Sequence, residues 1–139
     1  MVLVRKGSLG NVILTKIDQS EELIGALKGI AVKHNISSAS ISLIGAVKNA
    51  RIINPVMKET FIGEEMEISG NGNIFLDERG EPFVHIHASL GAEGGKARMG
   101  HIVEAEVLLF VEACIIPFKL DGVTRKKDRK GIQCLHFSD

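Results

Sequence analysis

Only one stretch of this chain carries a clear helical period, and that scarcity limits its fold more than any other feature. Leu23, Leu27 and Ile30 recur at helical spacing, with Ile24 and Ala31 on the same broad face. Asp18-Gln19-Ser20-Glu21 reads as a capping box, with Asp18 as N-cap and Glu21 reaching back from the third helical position. Asn35 suits a left-handed terminator after His34. These signals predict one helix over about 19–34.

The rest of the sequence reads as strands. Val12-Ile13-Leu14 opens a short one, and Ala39–Val47 is an apolar run suited to a buried one that ends near Gly45. Arg51-Ile52-Ile53 and Glu65–Ser69 follow. Gly70-Asn71-Gly72-Asn73 is a turn signature that would join Met66–Ser69 to Ile74-Phe75-Leu76 as a hairpin. Arg79-Gly80-Glu81-Pro82 is a second turn, and Gly91–Gly100 reads as a loop. His101–Pro117 is too uniformly apolar for periodicity to assign, but its β-branched and aromatic content and its end at a proline favour strand. Phe118–Leu120 and Gln133–Phe137 would pair as terminal strands. The count predicts an α+β fold, a single domain over 1–139, with a mostly antiparallel sheet of about seven strands and the one helix packed on it.

The composition excludes several classes. A hydrophobic content of 45% supports a packed core rather than disorder. The formal net charge is zero, so no global field attracts nucleic acid or a membrane surface. Charge is uneven, however: Arg125-Lys126-Lys127-Asp128-Arg129-Lys130 holds five positive charges and one negative, leaving the remainder at −4. Such a run is ordinarily a solvated loop, and its other reading is a phosphate-contacting patch built from Arg125, Lys126, Lys127, Arg129 and Lys130. Cys114 and Cys134 form no metal or redox motif. The first residues lack the apolar core of a signal peptide, so the expected location is cytoplasmic.

Chemistry concentrates around the histidines. His85 and His87 are two apart in Phe83-Val84-His85-Ile86-His87-Ala88, which reads as a strand. Alternation puts both imidazoles on one face and Val84 and Ile86 on the other. A third imidazole, His101, returned by a glycine loop hinged at Gly91 and Gly100, would complete a three-histidine set. That is the ligand number of an open zinc site with a fourth position free for water or substrate. A cross-strand pair satisfied by hydrogen bonds is the competing reading. Glu112, embedded between Val111 and Ala113, is the candidate carboxylate, either orienting a histidine or acting as a general base. Other motifs fail. Gly94-Gly95-Lys96-Ala97 lacks the leading glycine and the trailing hydroxyl of a phosphate loop, and reads as a hairpin turn. Ser89 beside His87 makes no triad.

The run His85-Ile86-His87-Ala88-Ser89-Leu90-Gly91, the glycine-rich loop, Gly100-His101 and Glu112 together resemble the plants-and-prokaryotes-conserved (PPC) domain in its stand-alone prokaryotic form. Ile44-Gly45-Ala46 and Glu67-Ile68-Ser69-Gly70-Asn71-Gly72-Asn73-Ile74 match in the same order, so the resemblance spans nearly the whole chain. It implies an α+β homotrimer that buries sheet surface between subunits. It implies a zinc site at His85, His87 and His101, as in some members, and a DNA-binding label given by similarity over an undefined biochemical activity. In plants the domain follows AT-hook motifs and mediates association with protein partners. Two departures matter: Met99-Gly100-His101 stands where the family usually has Gly-Gly-His, and no Arg-Gly-Arg-Pro hook is present.

The reading is therefore a trimeric binding module whose histidines hold zinc or a small ligand. The alternatives are a zinc-dependent hydrolase or lyase using Glu112, and a DNA-associated protein using segment 125–130.

Overall fold

The computed structural model describes residues 1–139. Its order is β1 (Ser8–Leu9), β2 (Ile13–Asp18), α1 (Leu23–Lys33), β3 (Ser38–Ile53), β4 (Glu59–Ile62), β5 (Met66–Leu76), β6 (Pro82–Gly91), β7 (Ala97–Lys119), β8 (Val123–Lys127) and β9 (Gln133–Phe137). A single turn of 3₁₀ helix, Glu93–Gly95, sits between β6 and β7. The α+β expectation holds: seven antiparallel strands form one sheet, in the path β1-β7-β6-β5-β3-β4 with β2 on β7. Because β7 also pairs with β3, the strands β3, β5, β6 and β7 close on one another. The strands β8 and β9 make a separate two-stranded ribbon. No helix is long and apolar enough to cross a membrane.

The helix is shorter than its periodicity promised. Leu23, Leu27 and Ala31 are fully buried, as expected, and Asn35 has the left-handed backbone (φ 52°) of a terminator. The capping box does not form. Residues 19–22 instead bond to β7, through Ser20 N–H to Val107 O at 2.9 Å and Val107 N–H to Glu21 O at 2.9 Å. The N-cap is Glu22, whose carboxylate accepts from the amides of Ile24 (2.8 Å) and Gly25 (3.0 Å) and from Ala105 of β7 (3.3 Å). A long side chain that reaches both its own helix and a neighbouring strand displaced the local Asp18 cap. Helix and sheet share one core, in which Val84, Ile86, Ala88 and Leu90 of β6 pack with the helix face.

Two expected breaks in the sheet are absent, and a third is shorter than expected. Arg51-Ile52-Ile53 continues β3, with register shifts against β7 at Gly45/Ala46 and again near Arg51. Gly70–Asn73 is not a turn but the middle of β5. Its glycines serve close approach rather than chain reversal. A Cβ on Gly72 would lie 1.8 Å from the carbonyl oxygen of His85, and one on Gly70 would lie 2.8 Å from the Ala88 side chain. The loop expected over Gly91–Gly100 shrinks to a hairpin connection over 92–96, where Gly94 and Gly95 take φ near 80°. The apolar segment 101–117 is strand, as expected, within the 23-residue β7.

The expected terminal pairing also differs. Phe118 belongs to β7 and lies opposite Leu9 of β1, while Gln133–Phe137 pairs with Val123–Lys127. Segment 125–130 is thus half strand and half tight turn, where the Asp128 side chain accepts from the amides of Lys130 and Ile132.

One irregularity shapes the surface. Gly45 of β3 pairs with Val111 and the next residue, Ala46, with Leu108, so Leu109 and Phe110 form a bulge. Leu109 has φ 60°, and a Cβ on Gly45 would meet the Phe110 carbonyl at 2.3 Å. Bulges re-aim side chains out of the ladder. Here they leave Leu109 and Phe110 64% and 43% exposed, alongside Ile44 and Leu14.

Gly72→Ala should force β5 away from β6 and destabilise the fold by about 3 kcal/mol, the upper end of an overpacking penalty. Denaturant unfolding monitored by circular dichroism reads this directly, and an unchanged midpoint would mean that the strands are not held so close.

Candidate metal centre

The three histidines come together through strand register alone. His85 and His87 lie on the face of β6 opposite Val84 and Ile86, as alternation requires. His101 does not arrive on a flexible loop: it is a paired residue of β7, directly opposite His87. Gly91 and Gly100 are therefore strand residues rather than hinges. Gly91 pairs with Ala97 and with Glu67, and Gly100 with Ala88. Gly100 has a packing role, since a Cβ there would stand 3.0 Å from the Ile53 carbonyl.

The rings form a compact triangle, with centroids 4.8 Å apart for His85–His87, 5.0 Å for His85–His101 and 5.8 Å for His87–His101. One ring nitrogen from each lies within 4.8 Å of the others. The Nε2 atoms of His85 and His87 are 3.1 Å apart. Two nitrogens bound tetrahedrally to one zinc at 2.0–2.1 Å would be separated by about 3.3 Å, so these two already converge on a common point. Three neutral imidazoles suit zinc, copper, iron or nickel and are a poor set for calcium or magnesium. The donor set fits a metal.

Their surroundings keep His85 and His101 neutral. Burial, the nearby Arg125 guanidinium and the other two imidazoles push His85 down to about 4. Burial, then His87, then Arg125 likewise lower His101. Both rings are therefore free of a ligand-blocking positive charge at neutral pH. Such a metal would act as a Lewis acid on whatever fills its remaining position.

Arg125 is what the sequence reading misplaced. It was grouped with the exposed cations, yet it is only 3% exposed. It reaches from β8 onto the histidine face, donating from Nη2 to Asn73 Oδ1 (2.6 Å) and to His85 Nδ1 (2.9 Å), and from Nη1 to the Gln133 carbonyl (3.1 Å). Its guanidinium also lies 5.4 Å from the Phe83 ring centroid. No carboxylate pairs with it, and its Nε has no partner. Lys126, Lys127, Arg129 and Lys130 are exposed, so the phosphate-contacting set shrinks by its first member. The signal was present: in a strand, alternation sets Arg125 with Val123 rather than with Lys126.

Glu112 does not join the cluster within the chain. It is exposed, opposite Lys16 of β2 and Ile44 of β3. The strand contour separating it from His101 is roughly 35 Å at about 3.3 Å per residue. A carboxylate amid apolar neighbours in sequence is thus simply one that faces outward at its position on β7.

A mostly antiparallel sheet with one covering helix and three register-matched histidines on its other face defines a small α+β domain with a metal-competent centre. The chain belongs to the Plants and Prokaryotes Conserved (PCC, or PPC) domain family, whose model matches residues 4–119. A plant- and prokaryote-conserved protein from Pyrococcus horikoshii is 32% identical, with 99% of each chain covered and a TM-score of 0.91. A metal-containing protein from Archaeoglobus fulgidus is 27% identical over 97% of this chain and 99% of its own, with a TM-score of 0.88. A Bacteroides thetaiotaomicron protein, provisionally described as DNA-binding, shares the fold at 24% identity, covering 94% of this chain and 97% of its own, with a TM-score of 0.80. No curated protein matches the sequence.

The lowered His85 and His101 fix a pH dependence for the metal-free protein. His85, lowered to about 4 in the fold but charging at about 6.5 when unfolded, contributes full stability above pH 6.5 and loses it as pH falls toward 4, and the lowered His101 acts in the same direction. Thermal melts should fall across that window. In His85→Gln, which keeps an acceptor for Arg125, the slope should be shallower; an equal slope would place the titration elsewhere.

Proposed function

We propose that this chain is a homotrimeric binding module in which His85, His87 and His101 hold a divalent metal, zinc being the first candidate. The observation that carries the reading is the convergence of the His85 and His87 Nε2 atoms at 3.1 Å, with His101 completing the triangle. Three protein ligands leave a position for water or a small ligand. The metal content of the Archaeoglobus relative supports the same reading.

Trimer formation is supported by the open face that the bulge creates. Leu14, Ile44, Leu109 and Phe110 present apolar surface with no cover inside the chain, the kind of patch that subunits bury. The hydrolase or lyase reading is weaker, because no carboxylate stands beside the histidines to move a proton. DNA association rests on four exposed cations in a chain of zero net charge, Lys126, Lys127, Arg129 and Lys130, together with the name of a relative that shares the fold. A steep salt dependence, with log K falling by about 0.9 per phosphate neutralised, would be its signature.

Elemental analysis of the untagged protein after zinc is supplied at neutral pH should give one zinc per chain. His87→Ala should lose it while keeping its circular dichroism spectrum. Equal metal in both proteins would place the ion elsewhere. Light scattering tests the assembly: the parent should run at three times the chain mass, and Phe110→Glu at one. A monomeric parent would remove the trimer from the proposal.

A further inference from the structure

The hydrogen bonds at the cluster run in one direction. A guanidinium has only donors, so His85 Nδ1 must accept from Arg125. A neutral His85 then carries its proton on Nε2 and donates it to His87 Nε2 at 3.1 Å. Arg125, His85 and His87 thus form a satisfied chain, Arg125 to His85 to His87, with no ion required. A metal at His85 needs the reverse polarity. Its ligating Nε2 must be bare, so the ring's proton resides on Nδ1, where metal-bound histidines ordinarily donate to a carboxylate or carbonyl. In this chain that proton would point at Nη2 of Arg125, donor against donor, with a guanidinium added to the charge of the ion. The residues fit a metal at their inner nitrogens and oppose it at the outer one.

We infer that Arg125 is a latch on His85: the guanidinium and a metal ion compete for opposite sides of one imidazole, and the metal binds fully only when Arg125 lets go of Nδ1. The inference rests on the three-histidine reading above. The proton balance is closed, since the His85 proton passes from Nε2 to Nδ1 through solvent and none is released. Arg125 has other anchors to keep, Asn73 Oδ1 and the Gln133 carbonyl, so releasing His85 does not require the β8–β9 ribbon to unfold. Arg125 is a positioning residue here, because it touches the ligand histidine and not the ion. Its ribbon starts beyond residue 119, where the match to the family model ends.

Zinc affinity of the full chain and of Arg125→Gln, measured by competition with a chromophoric chelator, tests the idea. Glutamine offers a carbonyl to an Nδ1 proton, so the variant should bind zinc at least about 10-fold tighter, the lower end of what an outer-shell partner controls. Equal or weaker binding by the variant overturns the latch; weaker binding would mean that Arg125 instead supports a deprotonated His85. If neither protein takes up zinc, the metal reading itself fails and the latch with it. Nitrogen-15 NMR of the parent histidines decides the matter even if the variant does not fold. His85 should be protonated on Nε2 without metal and on Nδ1 with zinc. A proton on Nδ1 in both states overturns the inference.

Discussion

Everything in this molecule hangs on the backbone ladder of β7. One 23-residue strand pairs with β1, β2, β3 and β6 in turn, and the bridge at Glu106 brings it to the start of the helix. Its amides and carbonyls are satisfied by four different segments, so few other parts of the chain can shift without breaking hydrogen bonds to it. The Glu22 cap bonds to Ala105 on the same strand, which fixes where the helix sits over the sheet. Core, helix position and histidine geometry are consequences of a single register.

That register has an all-or-none effect on chemistry. With His87 opposite His101, both rings emerge on one face. A slip of one residue between β6 and β7 would turn His101 into the core beside the helix and bring Ile102 out. The close approach of β5 at Gly72 and Gly70 guards against such a slip from the other side of β6, since any side chain there would collide with the β6 backbone or Ala88. A metal-competent triangle on a sheet is thereby obtained without a loop to order, and its rings start close to their binding positions.

Much of this was readable in the sequence, and the errors share a cause. The helix face and the His-x-His face follow from periodicity, and the strand assignment of 101–117 from its β-branched and aromatic content and its end at Pro117; all of these report local geometry. Gly70–Asn73 reads as a turn because glycine freedom ordinarily marks chain reversal; at Gly91–Gly100 the chain does reverse, but over 92–96 alone. In β5 the same residues answer a demand made by another strand, which no local pattern contains. Asp18 lost its capping role to Glu22 for a similar reason, because Ala105 is distant in sequence. Arg125 was hidden by its neighbours: in a run of cations, one residue that folds inward carries the same letters as those that do not. Glu112 was the opposite case, made interesting by apolar neighbours that point to other faces.

The β8–β9 ribbon gives the last feature a practical edge. The family match stops at residue 119, while the side chain that abuts the histidine triangle comes from residue 125. A fragment trimmed to the matched residues would keep every candidate ligand and discard the cation behind one of them. It would present the same three histidines in a different electrostatic setting. Agreement across the matched residues therefore does not by itself fix what stands behind the histidines.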